Sequence, residues 1–489
     1  MDEKKEKNKD QKQEEKKSME ESKQPVTMAN SVTINKKKLY YKTETGYLPL
    51  KDENGNIKAK IFYTGYFKDK VDNTKKRPIT FAFNGGPGSS SVWLHMGVMG
   101  PKKIKMTDKG EAIAPPYDII PNEETWLDKT DLVFIDPVTT GYSRALKKEE
   151  KKYHEFKKDI ESVGDVIRKL VDKHNRWGSP KFVAGESYGT TRAAGLSGYL
   201  QDRYGMYLNG IILLSAVTNF QTISFDEGND LPYALFLPTY TATAYYHEKL
   251  AKELQKDLDN TLEKVKNFIR NEYIKYLFLG DEIKDTDRKE LAKKLSKFTG
   301  LSEKFILNSN NRINIYEFTK ELLREESKAV GRLDSRVTGK NVRDVGQYND
   351  FDPSYNKAIY GPFSSCFNDY MIRELKYENE LPYEILTGRV RPWDFSESSN
   401  KYVNVSETLT KAMHKNPYLK VWIANGYYDL ATPFFATEYT VNHMQLADEL
   451  RENVKLTYYK AGHMMYIHKK SVKKLKEDFD EFISLCQNK

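Results

Sequence analysis

The sequence predicts an α/β fold: a mostly parallel central sheet flanked by helices and interrupted by an inserted helical cap. Three observations carry this expectation. Short continuous apolar runs in "RPITFAFNGG", "DLVFIDP" and "LNGIILLSAV" read as strands buried on both faces. Helical patterns such as "YHEFKKDIESVGDVIRKLVDKH" alternate with them, the order that builds a parallel sheet. From about residue 221 to about 375 the alternation stops, and amphipathic, heavily charged helical stretches replace it.

From the N-terminus, the first 24 residues carry eight lysines and eight acidic residues with almost no apolar side chain. Such a segment cannot bury enough surface to offset its ordering entropy, so residues 1–25 are expected to form a disordered, charge-balanced tail. It has no apolar h-region and is not read as a signal peptide. Residues 26–220 are the first part of the α/β core. They open with alternating apolar and polar residues that turn at Glu53-Asn54-Gly55, the pattern of antiparallel strands and a hairpin. Residues 221–375 are the expected cap, with helices over "YHEKLAKELQKDLDNTLEKVKNFIRNEYIKYLF" and "DRKELAKKLSKFTG". Its place in the order puts it on the strand C-terminal side, over the site. Residues 376–489 resume the core with a strand in "YLKVWIANGYYDL", a helix from about Pro433, a strand in "VKLTYYKAGH" and a terminal helix "SVKKLKEDFDEFISLC". No internal repeat is present.

Composition narrows the class of function. A chain of 489 residues, 38% hydrophobic, with 33 Tyr and 23 Phe, supplies a sizeable core. Its 79 Lys and Arg against 70 Asp and Glu give +9, spread along the chain without a compact basic stripe, so no nucleic-acid partner is expected. No run approaches the roughly 18 consecutive apolar residues of a membrane helix, so no membrane partner is expected. The two cysteines, Cys366 and Cys486, leave one bridge open, but a reduced, cytoplasmic chain is the simpler account. Asn404-Val405-Ser406 has the form of a glycan acceptor but means nothing without an export signal. His95 and His468 lack metal-ligand spacing, and "LHMGVMG" reads as a packed helix. No phosphate-cradling motif occurs. Neither metal nor cofactor is expected, and a homodimer is left open.

The chemistry is carried by four segments. Gly185-Glu186-Ser187-Tyr188-Gly189 follows the apolar run Lys181-Phe182-Val183-Ala184 and has the form of a nucleophile elbow, a tight strand-to-helix turn that lifts a serine hydroxyl off the sheet. Asp429 lies just past the strand in "IANGYYDLATP", where a helix N-cap is its structural alternative. His463 follows the next strand in a Gly-His turn. The order Ser…Asp…His is that of α/β-hydrolases. The imidazole takes the serine proton, while the carboxylate fixes the tautomer and stabilises the imidazolium. The fourth segment, "FAFNGGPGSSSVWLHMGVMGP", follows a buried strand with glycines whose N–H groups can face an oxyanion.

On these residues the sequence resembles the serine carboxypeptidase family, peptidase family S10, of the carboxypeptidase C and cathepsin A kind and prokaryotic type. The matching stretches are Asn84-Gly85-Gly86-Pro87-Gly88-Ser89-Ser90, Gly185-Glu186-Ser187-Tyr188 and Gly462-His463-Met464. "DPVTTGYSRA" is similar to the family's Pro-Val-Gly-x-Gly-Phe-Ser segment, with Thr139 where a glycine is usual. The resemblance spans roughly residues 75–220 and 395–470. It implies an α/β-hydrolase fold and a serine carboxypeptidase acting on peptides through an acyl-enzyme. Ser187 would be the nucleophile, His463 the general base and Asp429 its partner. The N–H groups of Gly86 and Tyr188 would form the oxyanion hole, and Asn84 and Glu186 would hold the substrate's terminal carboxylate. An esterase or acyltransferase could use the same triad. An interaction protein on a retired hydrolase scaffold is the non-catalytic alternative. One position departs from the family: a second glutamate that commonly shares a proton with Glu186 is Val98 here. Glu186 then either stays neutral through burial alone or ionises against a cation such as Arg192 or Arg144, although a surface or structural ion pair is the first reading of each arginine. The second case predicts activity best from neutral to mildly alkaline pH.

Overall fold

The computed structural model describes residues 24–487. The tail expected over residues 1–25 therefore falls, apart from Gln24 and Pro25, outside the described residues. The chain enters the sheet through three antiparallel strands, β1 (Val26–Ile34), β2 (Lys37–Lys51) and β3 (Ile57–Lys68). The turn expected at residues 53–55 joins β2 to β3. Asp52 Oδ1 closes it by accepting the N–H groups of Asn54 and Asn56, at 3.0 and 2.8 Å. Six longer strands follow, β4 (Ile79–Phe83), β5 (Asp131–Ile135), β6 (Lys181–Ser187), β7 (Gly210–Ala216), β8 (Lys420–Gly426) and β9 (Val454–Tyr459), while the two-residue strand Arg144–Ala145 pairs with β3 off the main path. They lie in the order β1-β2-β3-β5-β4-β6-β7-β8-β9, with β5 through β9 parallel and β3 antiparallel to β5. This is an α/β-hydrolase fold.

The continuous apolar runs mark strands covered on both sides. Successive residues of β4 point to opposite faces: Phe81 and Phe83 join one buried cluster with helices α1 (Phe156–Lys173) and α2 (Tyr188–Tyr204), and Ala82 joins the other. The second cluster takes in the C-terminal helix α3 (Lys469–Leu485), whose Phe479 ring stacks on Trp126 at 3.9 Å between centroids. Both rings are wholly buried.

The chain leaves the sheet after β7 and re-enters it at Lys420. Between them lie helices 231–246, 258–268, 285–299, 315–321 and 360–373, with a two-stranded ribbon of Lys328–Val330 and Thr338–Lys340. One helix expected here breaks. "HEKLAKELQ" is not helical: the chain turns after Tyr246 and restarts at Leu258, where the Asp257 side chain caps the new helix by accepting Asp259 N–H at 3.0 Å. Helix 231–246 had no amphipathic signature because it is buried on nearly every side, against the insertion's own core and Phe434 and Phe435. "LHMGVMG" forms one wide turn, His95–Met99, with five-residue hydrogen-bond spacing and every residue buried.

Phe479→Ala should cost about 3–5 kcal/mol of stability, because the cavity opens between Trp126 and the sheet where neither can collapse. Denaturant melts should show a lower midpoint at unchanged slope.

Candidate active site

The site is built at the C-terminal ends of β4, β6, β8 and β9. Ser187 ends β6 and caps α2 with φ 60° and ψ −131°, a sparsely populated region for a residue with a side chain. Such backbone strain costs about 1–3 kcal/mol and persists only where packing over-determines it. The packing is visible at Gly85. A β-carbon there would lie 2.6 Å from Gly189 N and collide with Tyr188 N, so the loop after β4 rests directly on the elbow. That contact brings the Gly85-Gly86 peptide beside the Tyr188 N–H. The Tyr188 N–H is the first of α2 and so one of the four that a helix leaves without an internal partner. The positive end of the helix faces the same point.

His463 follows the edge strand β9, three strands along the sheet from β6. Its carbonyl accepts Ser215 Oγ at 2.6 Å, and the next residue of β7, Ala216, pairs with Ser187. Its N–H donates to Leu333 O at 2.6 Å, and Gly462 N–H donates to Asp334 Oδ2 at 3.2 Å. The inserted segment 332–335 also binds the neighbouring loop through Leu430 N–H to Arg332 O and Ser335 N–H to Tyr428 O, each at 3.0 Å. It thus buttresses the turns that carry both Asp429 and His463. His463 Nδ1 lies 2.7 Å from Asp429 Oδ2. Asp429 is wholly buried, and three more donors orient it: Ala431 N–H at 2.8 Å, Thr432 N–H at 3.0 Å and Thr432 Oγ1 at 2.7 Å. Asp429 is not the N-cap of the following helix, which starts at Phe434 behind Pro433; its carboxylate closes the turn at 429–432 and holds the histidine. Burial opposes a charge on His463, but the Asp429 carboxylate outweighs it and leaves the imidazole above its ordinary value. With Nδ1 turned to Asp429, Nε2 is the nitrogen left for proton transfer. Among the described residues no hydrogen bond joins the Ser187 hydroxyl to the ring; such contacts commonly tighten only when substrate binds.

Asn84 and Glu186 flank the elbow. Asn84 is fixed through Oδ1, which accepts Leu94 N–H at 3.1 Å, and through its carbonyl, which accepts Arg192 Nη1 at 2.7 Å. Its Nδ2 is buried without a hydrogen-bond partner. Glu186 is also buried, and Tyr466 donates its hydroxyl to Oε2 at 2.5 Å. Burial drives its carboxyl up to about 7, against the nearby His463 and the Tyr466 hydrogen bond, which favour the charged form.

Arg192 takes the structural ion-pair role and does not match an ionised Glu186. Its guanidinium grips Asp159 through Nε and Nη2 at 2.8 and 3.2 Å, is 1% exposed, and packs on the rings of Phe83 and Tyr188. Arg144 is equally committed, to the carbonyls of Gly141, Ser143 and Pro382. Burial first, and the Asp429 carboxylate after it, favour the neutral form of Glu186 and push its carboxyl up to about 7. Val98 is packed in the apolar core. Thr139 takes the left-handed backbone of the usual glycine, with φ 73°. Its hydroxyl lies 2.8 Å from His154 Nε2, a local bond that offsets part of the strain. Sequence reasoning missed Thr432, Ser215 and Tyr466. Tyr466 lies three residues beyond His463, and its only early sign was an aromatic residue in "GHMMY".

Both cysteines are free. No group of His, Cys, Asp and Glu among the described residues is arranged to hold a metal, and no described helix is long and apolar enough to cross a membrane.

The family model described as serine carboxypeptidase matches residues 33–476. Over 132 residues the chain is 31% identical to the pheromone-processing carboxypeptidase KEX1 of Saccharomyces cerevisiae (strain JAY291), a match covering 26% of this chain and 17% of that protein. It is 37% identical over 103 residues to carboxypeptidase Y homolog A of Aspergillus oryzae, covering 21% of this chain and 16% of the other. Serine carboxypeptidase-like 8 of Arabidopsis thaliana is 27% identical over 214 residues, 40% of this chain and 44% of the plant protein. The chain thus spans less than half of each of these relatives. In structure it resembles Kex1(delta)p, a prohormone-processing carboxypeptidase from Saccharomyces cerevisiae, with TM-score 0.58 and 17% identity over 90% of this chain and 91% of that one. At that identity the likeness is one of fold.

Asp429→Asn removes the charge that favours the imidazolium, so His463 should titrate at lower pH than in the wild type. Imidazole NMR resonances followed across pH measure this directly; an unchanged titration would mean the carboxylate does not act on the ring.

Proposed function

The chain belongs to the serine carboxypeptidase family, and from that premise we propose that it is a serine-type carboxypeptidase releasing C-terminal residues from peptides. The observation that carries the proposal is the placing of a buried amide donor, Asn84 Nδ2, beside the Glu186 carboxyl, which burial pushes up to about 7. Two hydrogen-bond donors beside a strained serine suit an anionic group near the scissile bond, and a peptide's terminal carboxylate is such a group.

In the proposed cycle His463 Nε2 takes the Ser187 proton as Oγ attacks the last peptide carbonyl. Asp429 holds the Nδ1–H and stabilises the imidazolium that forms. The oxyanion of the tetrahedral intermediate accepts hydrogen bonds from the N–H groups of Gly86 and Tyr188. Such donors typically contribute about 2.7–4 kcal/mol each. The intermediate collapses, His463 protonates the leaving amine, and the C-terminal amino acid departs. A water molecule then attacks the acyl-enzyme, with His463 again as base. Asn84 and neutral Glu186 hold the substrate carboxylate until the C-terminal amino acid departs, which selects the last bond of the chain.

Ser187→Ala and His463→Ala should each lower kcat by about 10⁴ or more, and the double variant should be scarcely worse, because the residues act as one unit. Retention of a tenth of the activity by either would overturn the triad.

The pH dependence has two limbs. Neutral His463 is lost as pH falls through its raised value, above the ordinary 6.5. The Glu186 proton is lost as pH rises through about 7. For a free-acid peptide, kcat/KM should therefore form a narrow bell near neutrality and decline above about pH 7. Its C-terminal amide, which needs no carboxyl proton, should be a poorer substrate but keep its rate into alkaline pH. Equal rates for acid and amide at every pH would point instead to an esterase.

A further inference from the structure

We infer that Tyr466 is a positioning residue for carboxylate recognition, taking the place beside Glu186 that a second carboxyl would fill. The inference rests on the exopeptidase reading above and names how its Glu186 is aimed.

Three structural facts carry it. The position where a second glutamate would stand is Val98, buried in the apolar core, so the turn 95–99 supplies no acid to Glu186. The same turn instead supplies a seat. A β-carbon on Gly97 would lie 2.8 Å from one Tyr466 ring carbon and closer still to the next, so only a glycine lets the ring lie there. The ring so seated directs its hydroxyl onto Glu186 Oε2 at 2.5 Å, its only hydrogen bond among the described residues. With no other acceptor, the phenol must donate to Glu186.

This fixes the proton. When Glu186 is neutral and Oε2 accepts from Tyr466, the carboxyl hydrogen resides on Oε1, the oxygen free to donate to a substrate carboxylate. A phenol, unlike a second carboxyl, adds no like charge that would force a shared proton. It remains a donor throughout the working range, because burial holds it well above its ordinary value. The groups facing Glu186 are His463 and Asp429 from the turns after β9 and β8, Asn84 from the loop after β4, and Tyr466 itself. Arg332 acts on His463. Arg192 is held by Asp159. The loop after β9 carries the base His463, and the 3₁₀ turn Met465–Ile467 that follows carries the aiming group for Glu186.

The test is Tyr466→Phe, which keeps the ring and removes one oxygen. Active sites are counted by labelling Ser187 with a fluorophosphonate, so that any unfolded fraction is discounted. At pH 6 the KM of a free-acid peptide should rise about tenfold, the scale of one hydrogen bond to a buried carboxyl, while its amide changes less than about twofold. Because the lost bond favoured the charged form, the alkaline limb of kcat/KM for the free acid should also move to higher pH. An unmoved limb, or equal losses on acid and amide, would overturn the role. A wild-type enzyme that does not distinguish acid from amide would instead overturn the exopeptidase reading, and this role with it.

Discussion

The close contact of two backbones at Gly85 is the constraint on which the site depends. The loop after β4 lies against the first peptides of α2 with no room for a β-carbon. Ser187 can therefore hold its strained φ of 60°, because relaxing the elbow would drive α2 into that loop. The same contact sets the Gly86 peptide beside the Tyr188 N–H and puts Asn84 one residue from the crossing. Arg192, one turn into α2, reaches back and binds the Asn84 carbonyl, so helix, elbow and loop form one rigid unit.

The electrostatics follow from how that unit is held. Arg192 and Asp159 are buried as a bidentate pair, and removing one partner of such a pair commonly costs about 3–5 kcal/mol. Their charges cancel locally, which leaves Glu186 without a cation. Desolvation then outweighs the hydrogen bond from Tyr466 and the attraction of His463. The move of its carboxyl to about 7 corresponds to roughly 3 kcal/mol against the charged form. The His463 imidazole goes the other way because its neighbour Asp429 is a fixed charge held by three further donors. Two acid–base groups in one pocket are thereby assigned opposite tasks by their surroundings.

Much of this was legible in the sequence, for a reason that particular residues show. The elbow and the Asn84–Ser90 loop are sites of backbone crowding, where few residue types fit and the motif is short and local. Strands β4 to β7 announced themselves by apolar runs because both faces of the sheet are covered. The contacts that failed to show are side-chain contacts across long separations. Tyr466 and Glu186 are 280 residues apart, and nothing local to either marks the pairing. Arg192 was visible as a cation suited to an ion pair, but its partner Asp159 lies on a different helix, and nothing local to Arg192 names it. Helix 231–246 was hidden for the opposite reason: burial on every side erases the amphipathic period.

The central claim is that recognition rests on a carboxyl kept neutral by burial. Calorimetric binding of a free-acid peptide to the Ser187→Ala variant, in buffers of differing ionisation enthalpy from pH 6 to 9, tests it most directly. The account predicts net proton uptake on binding that grows as pH rises through about 7, with weaker binding and no such uptake for the C-terminal amide. Binding of the free acid with no proton uptake at pH 8 would contradict it, since the carboxylate would then be held by a group that needs no proton.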